Sequence, residues 1–321
     1  MNMFMKVAAT ATIALASVVA QAADAYPSKP IQLVIPYPPG GSADAIGRPL
    51  SAALARHMDA NVILEYRAGA GGTIGTRHVA RSKPDGYTLI LALAAHSINP
   101  SLYPDLQYDA MKDFSPIGKV AELPLGIYLN ADFPAKNLQE LISYAKKKPG
   151  EITFSSAGNG NTTHLAAELF AHTAGIKIRH IPYKGGGAAL KAVMGGDVSG
   201  MFDGSQTMNM VEGGRMRAIA FASKNRIASA PDVPTMEEAG LKDFIVSGWY
   251  GLLAPAGTST DVINTLSKGL SAALEDPEFR KTVETMGYEV TPSTAEELGE
   301  HMSKEKKRWA DVIAAVGAKV E

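Results

Sequence analysis

Short apolar segments, each followed by a helical stretch, recur along almost the whole chain, and this alternation restricts it to α/β layers. Ile31–Ile35 reads as a strand, and a helix from about Ala43 to Met58 follows, with Ile46, Leu50 and Leu54 on one face. Further strand candidates are Val62–Tyr66, Tyr87–Leu93, Leu125–Asn130, Ile152–Phe154, Ile178–Ile181, Val198–Phe202, Ala218–Ala222 and Trp249–Ala254. Capping-box spacing places helix starts at Asn137 with Glu140, Thr235 with Glu238, and Thr294 with Glu297. The last opens a C-terminal helix whose apolar stripe is Leu298, Met302, Trp309, Ile313 and Val316. A chain of 321 residues favours two lobes over one core. Phe114 to Leu125 reads as a connection between them, and a return falls between Ala222 and Ala254. The expected division is 26–124 plus 250–321 for one lobe and 125–249 for the other, with two crossovers acting as a hinge below a cleft.

Two glycine-rich loops stand where strands give way to helices. Pro38-Pro39-Gly40-Gly41-Ser42-Ala43-Asp44 follows the first strand, and Ser155-Ser156-Ala157-Gly158-Asn159-Gly160-Asn161-Thr162-Thr163 follows Ile152–Phe154. A tight turn without bulky side chains leaves backbone N–H groups at a helix start free for an anion, aided by the helix dipole. In the first loop Ser42 as N-cap and Asp44 beside the dipole suit an ordinary turn. The paired prolines and glycines suit close approach of a ligand to backbone. The second loop is longer than a plain turn needs and has only Ala157 as an apolar residue. One anion-binding edge per lobe predicts a small molecule with one or two carboxylates in the cleft.

Other functions find little support. A net charge of −1 gives no electrostatic case for nucleic acid or an anionic membrane. With no cysteine there are no disulfides, thiolate metal sites or cysteine nucleophiles. The seven histidines form no H-E-x-x-H or i,i+4 pair, and there is no G-x-S-x-G elbow. Gly69-Ala70-Gly71-Gly72-Thr73-Ile74-Gly75 fails the dinucleotide fingerprint, and Lys184-Gly185-Gly186-Gly187 fails the P-loop pattern. No cofactor and no metal are expected. A secreted hydrolase or lyase using the same cleft is the rival reading, and it lacks a nucleophile–base pair. A receptor serving a sensor kinase is a third.

The N-terminus reads as an export signal. Lys6 precedes an uncharged stretch, Val7 to Ala20, and small residues follow in Ala20-Gln21-Ala22 and Ala23-Asp24-Ala25. That stretch is too short to span a hydrocarbon core of ~30 Å. The mature chain is expected to begin between Ala23 and Tyr26, in a periplasmic space, with residues 1–25 as the signal peptide.

The ligand contacts expected from these patterns fall into four groups. The first loop supplies Tyr37, Gly40, Gly41, Ser42, Ala43 and Asp44. The second supplies Ser155, Ser156, Ala157, Asn159, Gly160, Asn161 and Thr162. His96 and Ser97 lie just past the third strand, where His96, like His164, suits either a ligand contact or a hydrogen-bonded structural histidine. Asp203, Gln206 and Met208 follow Val198–Phe202. Asp203 either meets a ligand hydroxyl or amine or caps the next segment, and Met208 either reads the ligand body or is buried on a helix.

A set of motifs carries a family resemblance. They are Tyr26-Pro27-Ser28-Lys29-Pro30-Ile31, Pro39-Gly40-Gly41-Ser42, Gly69-Ala70-Gly71-Gly72, Pro84-Asp85-Gly86-Tyr87-Thr88-Leu89, Ser156-Ala157-Gly158-Asn159-Gly160, Pro182-Tyr183-Lys184-Gly185, Met201-Phe202-Asp203, Pro231-Asp232-Val233-Pro234-Thr235 and Leu253-Ala254-Pro255-Ala256-Gly257-Thr258. Together they resemble the Bug-type receptors, the periplasmic substrate-binding proteins of tripartite tricarboxylate transporters. The resemblance implies a type II periplasmic-binding-protein fold, two α/β lobes with a ligand cleft and hinge. It implies a ligand carboxylate held mainly by backbone N–H groups and waters of the two glycine loops. The implied partners are a small carboxylate and the large and small membrane subunits of the transporter, with the receptor a monomer. Family members take tricarboxylates, dicarboxylates, acidic amino acids or aromatic carboxylates. Where many relatives have an Asn-Leu-Pro-like stretch after the aspartate, this chain has Gly204-Ser205-Gln206-Thr207-Met208-Asn209-Met210, so one wall of the site differs.

Overall fold

Strand and helix alternate as the apolar pattern requires, in a computed structural model that describes residues 26–227 and 229–318. The export-signal reading falls on residues 1–25, outside the described residues. The elements run β1 (Ile31–Ile35), α1 (Ser42–Met58), β2 (Val62–Tyr66), α2 (Thr73–Ala80), β3 (Thr88–Leu93), α3 (Ala95–Leu102) and β4 (Phe114–Asn130). Next come α4 (Leu138–Lys147), β5 (Thr153–Ser156), α5 (Thr162–Ala174), β6 (Arg179–Pro182), α6 (Gly186–Gly195), β7 (Gly200–Gly204), α7 (Met208–Glu212) and β8 (Met216–Phe221). The chain closes with β9 (Ser247–Pro255), α8 (Thr260–Glu275), α9 (Pro277–Thr285), β10 (Glu289–Val290) and α10 (Ala295–Val316).

The strands join in the order β2-β1-β3-β9-β4-β7-β5-β6, with β8 and β10 also pairing β4. The parallel pairs β1–β2, β1–β3, β5–β6 and β5–β7 arise from strand–helix–strand crossovers, whereas β9 runs antiparallel to both β3 and β4. β4 serves two sub-sheets. Phe114 to Pro124 pairs with β9, and Leu125 to Asn130 pairs with β7 on one side and β8 on the other. The stretch read as a connection is therefore itself strand. Pro116 and Pro124 disguise it, and the register shifts next to Pro116 show how a residue without an N–H is accommodated.

Helix α1 buries Ile46, Leu50 and Leu54 against β1, as the periodicity anticipates. α10 begins at a complete capping box, with Thr294 bonded to the N–H of Glu297 and the Glu297 side chain to the N–H of Thr294. Its stripe Leu298, Met302, Trp309 and Ile313 is buried in a cluster that also holds Ile90 and Leu253 of one sub-sheet and Phe154 and Phe202 of the other. Side chains of this size contribute about 1.5–3 kcal/mol each on burial, so α10 holds the two halves against one core. Thr235 and Glu238 do exchange the two bonds of a capping box, but they close only a turn, because Gly240 stops the chain before a helix can extend.

Candidate functional site

The two glycine loops meet at the carboxyl ends of the parallel strands. Gly40 takes a left-handed φ of +86°, a conformation that suits glycine, and turns the chain into α1. Gly41, with extended backbone (φ −97°), occupies the N-cap, and no side chain caps the helix. Ser42, expected as cap, is instead the first helical residue. The backbone N–H groups of Gly41, Ser42 and Ala43 have no protein partner among the described residues, while the Gly41 carbonyl receives Asp44 and Ala45. Three free donors at the positive end of a helix of 17 residues make an arrangement that could seat an anion.

Asp44 builds this seat and does not belong to it. Its carboxylate accepts from the Gly40 N–H at 2.8 Å, from the Tyr66 hydroxyl, and from Arg48 Nε at 2.8 Å, and the residue is buried. Burial works against its charge, but donation by Tyr66, Gly40 and Arg48 outweighs that and holds the carboxyl below its ordinary value. The expectation that Asp44 meets a ligand is corrected: both oxygens are occupied. Asp44→Ala is expected to destabilise the protein by about 1–3 kcal/mol, since it strips three donors of their acceptor. Urea unfolding measures this, and Asp44→Asn should recover part of the loss.

The second loop closes largely on itself. Ala157 N–H donates to Thr163 Oγ1, Gly158 N–H to Ser156 Oγ, Gly160 N–H to His164 Nδ1 and Asn161 N–H to the Gly158 carbonyl. Asn161 is the N-cap of α5, receiving the N–H of Thr163. The N–H groups of Asn159 and Thr162 have no protein partner among the described residues. Ser155 and Ser156 are fully buried with their hydroxyls on the Ala189 carbonyl and His180 Nε2, so any contact of this stretch with a ligand is left to the backbone. Beneath the loop the rings of His164 and His180 stack with centroids 3.8 Å apart. Burial pushes His164 down to about 4, and burial with the neighbouring ring pushes His180 to about 3.

Aromatic hydroxyls tie the pieces together. Tyr37 donates to the Gly71 carbonyl at 3.0 Å, and the Asn161 side chain lies close enough to influence its hydroxyl, so the two loops are neighbours. Tyr288 donates to the Ser42 carbonyl at 2.7 Å, and Tyr250, pushed up to about 12 by burial, has the Ser42 side chain as a neighbour. Sequence reasoning missed Tyr288, which follows a short helix and shows no periodicity. Tyr250 lies within the strand candidate Trp249–Ala254, where nothing in the pattern marks it as a site residue. Asp203 lies close enough to both rings to influence them. Burial raises its pKa against donation by Thr207, Gly204 and Gln206. Its oxygens accept from Gln206 Nε2 at 3.2 Å and Thr207 Oγ1 at 2.8 Å, so it braces the segment after β7 through side chains and caps no helix. Gln206 Oε1 is buried with no partner among the described residues.

Three expected contacts lie elsewhere. His96 is enclosed by Tyr108 and Phe114 with Nε2 on the Ala110 carbonyl at 2.7 Å, and burial pushes it down to about 4. Ser97, fully buried, donates to the Met302 carbonyl and fastens α3 to α10. Met208 packs against the cluster of Tyr128, Met201 and Phe221. Their side chains are structural, and Tyr37, Gly40–Ala43, Asn159–Thr162, Asp203 and Gln206 remain as the assembled group. Among the described residues no group of three His, Asp or Glu side chains is placed to hold a metal.

Two sub-sheets that share β4, with free N–H groups at the start of α1, make a mixed α/β fold suited to binding a small anion. Residues 46–318 match the model of the tripartite tricarboxylate transporter family receptor. The chain is 35% identical over 302 residues to protein BugT of Bordetella pertussis, covering 93% of each chain. MatC of Rhodopseudomonas palustris, solved with bound malate, is 31% identical with a TM-score of 0.84 over 90% of this chain and 100% of that one. R. palustris Rpa4515, solved with adipate, is 28% identical with a TM-score of 0.87 over 92% and 100%. The chain belongs to the tripartite tricarboxylate transporter receptor family. The receptors of this family are periplasmic solute-binding proteins, and among the described residues no helix is long and apolar enough to cross a membrane.

Proposed function

We propose that this protein captures a small dicarboxylate between its two sub-sheets and delivers it, as a monomer, to the large and small membrane subunits of a tripartite transporter. The observation that carries the reading is the row of free N–H groups on Gly41, Ser42 and Ala43, set near a second loop with its own free donors. Malate and adipate in the two related structures are dicarboxylates, which supports the ligand class. Micromolar binding needs about 8 kcal/mol, and one helix terminus contributes at most ~2. Several charge-assisted N–H bonds at roughly 1.5–3 kcal/mol each make up the difference once water is excluded. The switch of β4 partners between Pro124 and Leu125 supports lobes of 26–124 plus 250–321 and 125–249 that close over the ligand. Export ends with removal of the signal between Ala22 and Tyr26, and receptor action without catalysis fits the absence of a nucleophile–base pair in the sequence.

Calorimetry against mono-, di- and tricarboxylates, with malate and adipate included, tests the ligand class. We expect a dicarboxylate to bind and to raise the unfolding temperature, about 2.7 kcal/mol of stabilisation at a hundred times its dissociation constant. Gln206→Leu should shift the ranking against hydroxylated ligands, because the buried Oε1 acceptor is then gone. Recovery of a chemically altered ligand after release, or no binding by any carboxylate, overturns the reading.

A further inference from the structure

On the receptor reading, the membrane partner must recognise a surface outside the cleft, and one face of the first sub-sheet has the required character. A groove of about 750 Å³ runs beside α2, over the part of β1 and β3 that no helix covers. Ile74, Arg77, His78 and Arg81 line it at i, i+3, i+4 and i+7, one continuous stripe, while Gly75, Thr76 and Val79 on the opposite side of α2 are buried. Lys29, Arg67 and Lys83 add to the positive lining. Lys29 is paired with Asp85 at 3.4 Å and Arg67 with Glu65 at 2.6 Å. Arg77 meets only the neutral Gln107, and among the described residues Arg77, Arg81 and Lys83 have no carboxylate partner. Three uncompensated cations thus gather on one face of a chain whose net charge is −1.

Apolar surface accompanies the charge. Ile74 is 43% exposed in the groove, and Ile63 on the edge strand β2 is 46% exposed. Ile63 stands in register with Gln32, and Gln32 with Thr88, so all three point to the groove side of the sheet. A small hydrated anion has no use for two exposed isoleucines, whereas a protein surface combines apolar contact with steering charge. The far end of the groove also reaches the turn that holds the first glycine loop, where the proposed ligand would sit. Ile74 packs on Gly69, and Gly71 of the same turn holds the Tyr37 hydroxyl of the first loop.

We propose that this basic, isoleucine-bearing groove is the docking surface for an acidic, partly apolar periplasmic segment of the transporter's membrane subunits. The test places a photo-crosslinking phenylalanine analogue at Ile74 in the full chain, expressed in cells that carry the transporter, with a control at exposed Lys281 on the opposite face of the sheet. The expected result is an adduct with a membrane subunit, identified by mass spectrometry, from Ile74 and not from Lys281. Combining Arg77→Glu, Arg81→Glu and Lys83→Glu should cut the yield at least tenfold, and a carboxylate-to-lysine change in the crosslinked segment should restore it. Unchanged unfolding and unchanged malate or adipate binding in the triple variant keep the loss specific to docking. No adduct, an adduct with lipid or with a second copy of the chain, or a yield indifferent to charge reversal overturns the proposal. Failure of the wild type to bind any carboxylate would overturn the ligand reading and leave the crosslinking result to be judged on its own.

Discussion

Gly41→Val is expected to weaken every carboxylate ligand at least about a hundredfold while costing the protein only about 0.5–2 kcal/mol of stability, since valine is a poorer N-cap than glycine. The two halves of this expectation come from different observations. Gly41 has extended backbone that any residue adopts, and a Cβ built there meets nothing closer than the Pro38 carbonyl oxygen at 3.9 Å. The fold therefore accepts the side chain without a clash and loses only the better cap. A branched side chain at the N-cap, however, stands beside the free N–H groups of Gly41 and Ser42 and keeps a carboxylate oxygen from reaching them. Losing two charge-assisted bonds at roughly 1.5–3 kcal/mol each amounts to a factor of a hundred or more. Calorimetry on the wild type and variant with malate and adipate decides it. Retained affinity would place the anion somewhere other than the start of α1.

A second large effect is expected from acid. His96, His164 and His180 are held neutral, pushed by burial from the ordinary 6.5 down to about 4, 4 and 3. Between pH 6.5 and about 4 the unfolded chain takes up these protons and the folded chain does not. Stability is thus fully present above 6.5 and is lost as pH falls through that window. The slope is about 1.4 kcal/mol per pH unit for each histidine that stays neutral. Asp203 and Glu168, whose pKa values are raised by burial, oppose the trend. Urea unfolding at pH 7, 5.5 and 4.5 should show a falling midpoint, and His96→Gln, which can still donate to the Ala110 carbonyl, should flatten the fall. Ligand affinity should decline in the same window. Charging His164 requires a proton on Nδ1, the atom that receives the Gly160 N–H and shapes the second loop. A midpoint independent of pH would show that these rings are not buried as described.

Particular residues show what sequence could and could not reveal. The first loop was legible because its chemistry is local: two prolines, two glycines and a helix start within seven residues leave few arrangements. The second was legible as a site but not as a donor set. Thr163, Ser156 and His164 occupy its N–H groups, and those contacts depend on how the loop folds back over α5 and β6. Ser97 and His96 misled for a related reason. A polar residue after a strand looks the same whether it faces a cleft or, as here, the carbonyl of Met302 or Ala110. Strand β4 was half legible, since Leu125–Asn130 has the apolar run and Pro116 and Pro124 conceal the rest. The contribution of Tyr288 arises purely from chain path, which brings residue 288 back to the start of α1.

The position of β9 bears on how such a chain is made. This strand lies between β3 and β4, yet it begins only at Ser247, more than 150 residues after β3 has ended. A polypeptide leaving a ribosome or a translocation pore N-terminus first cannot complete its first sub-sheet until that late strand has emerged. Contacts so distant in sequence form slowly, and until they form β3 and the first half of β4 each lack a neighbour. The first sub-sheet is thereby kept open while the second, whose strands all precede Ser247, can already pair. α10, which packs into the shared core, follows β9. Topology thus sets an order in which the first sub-sheet, begun earliest, is closed late.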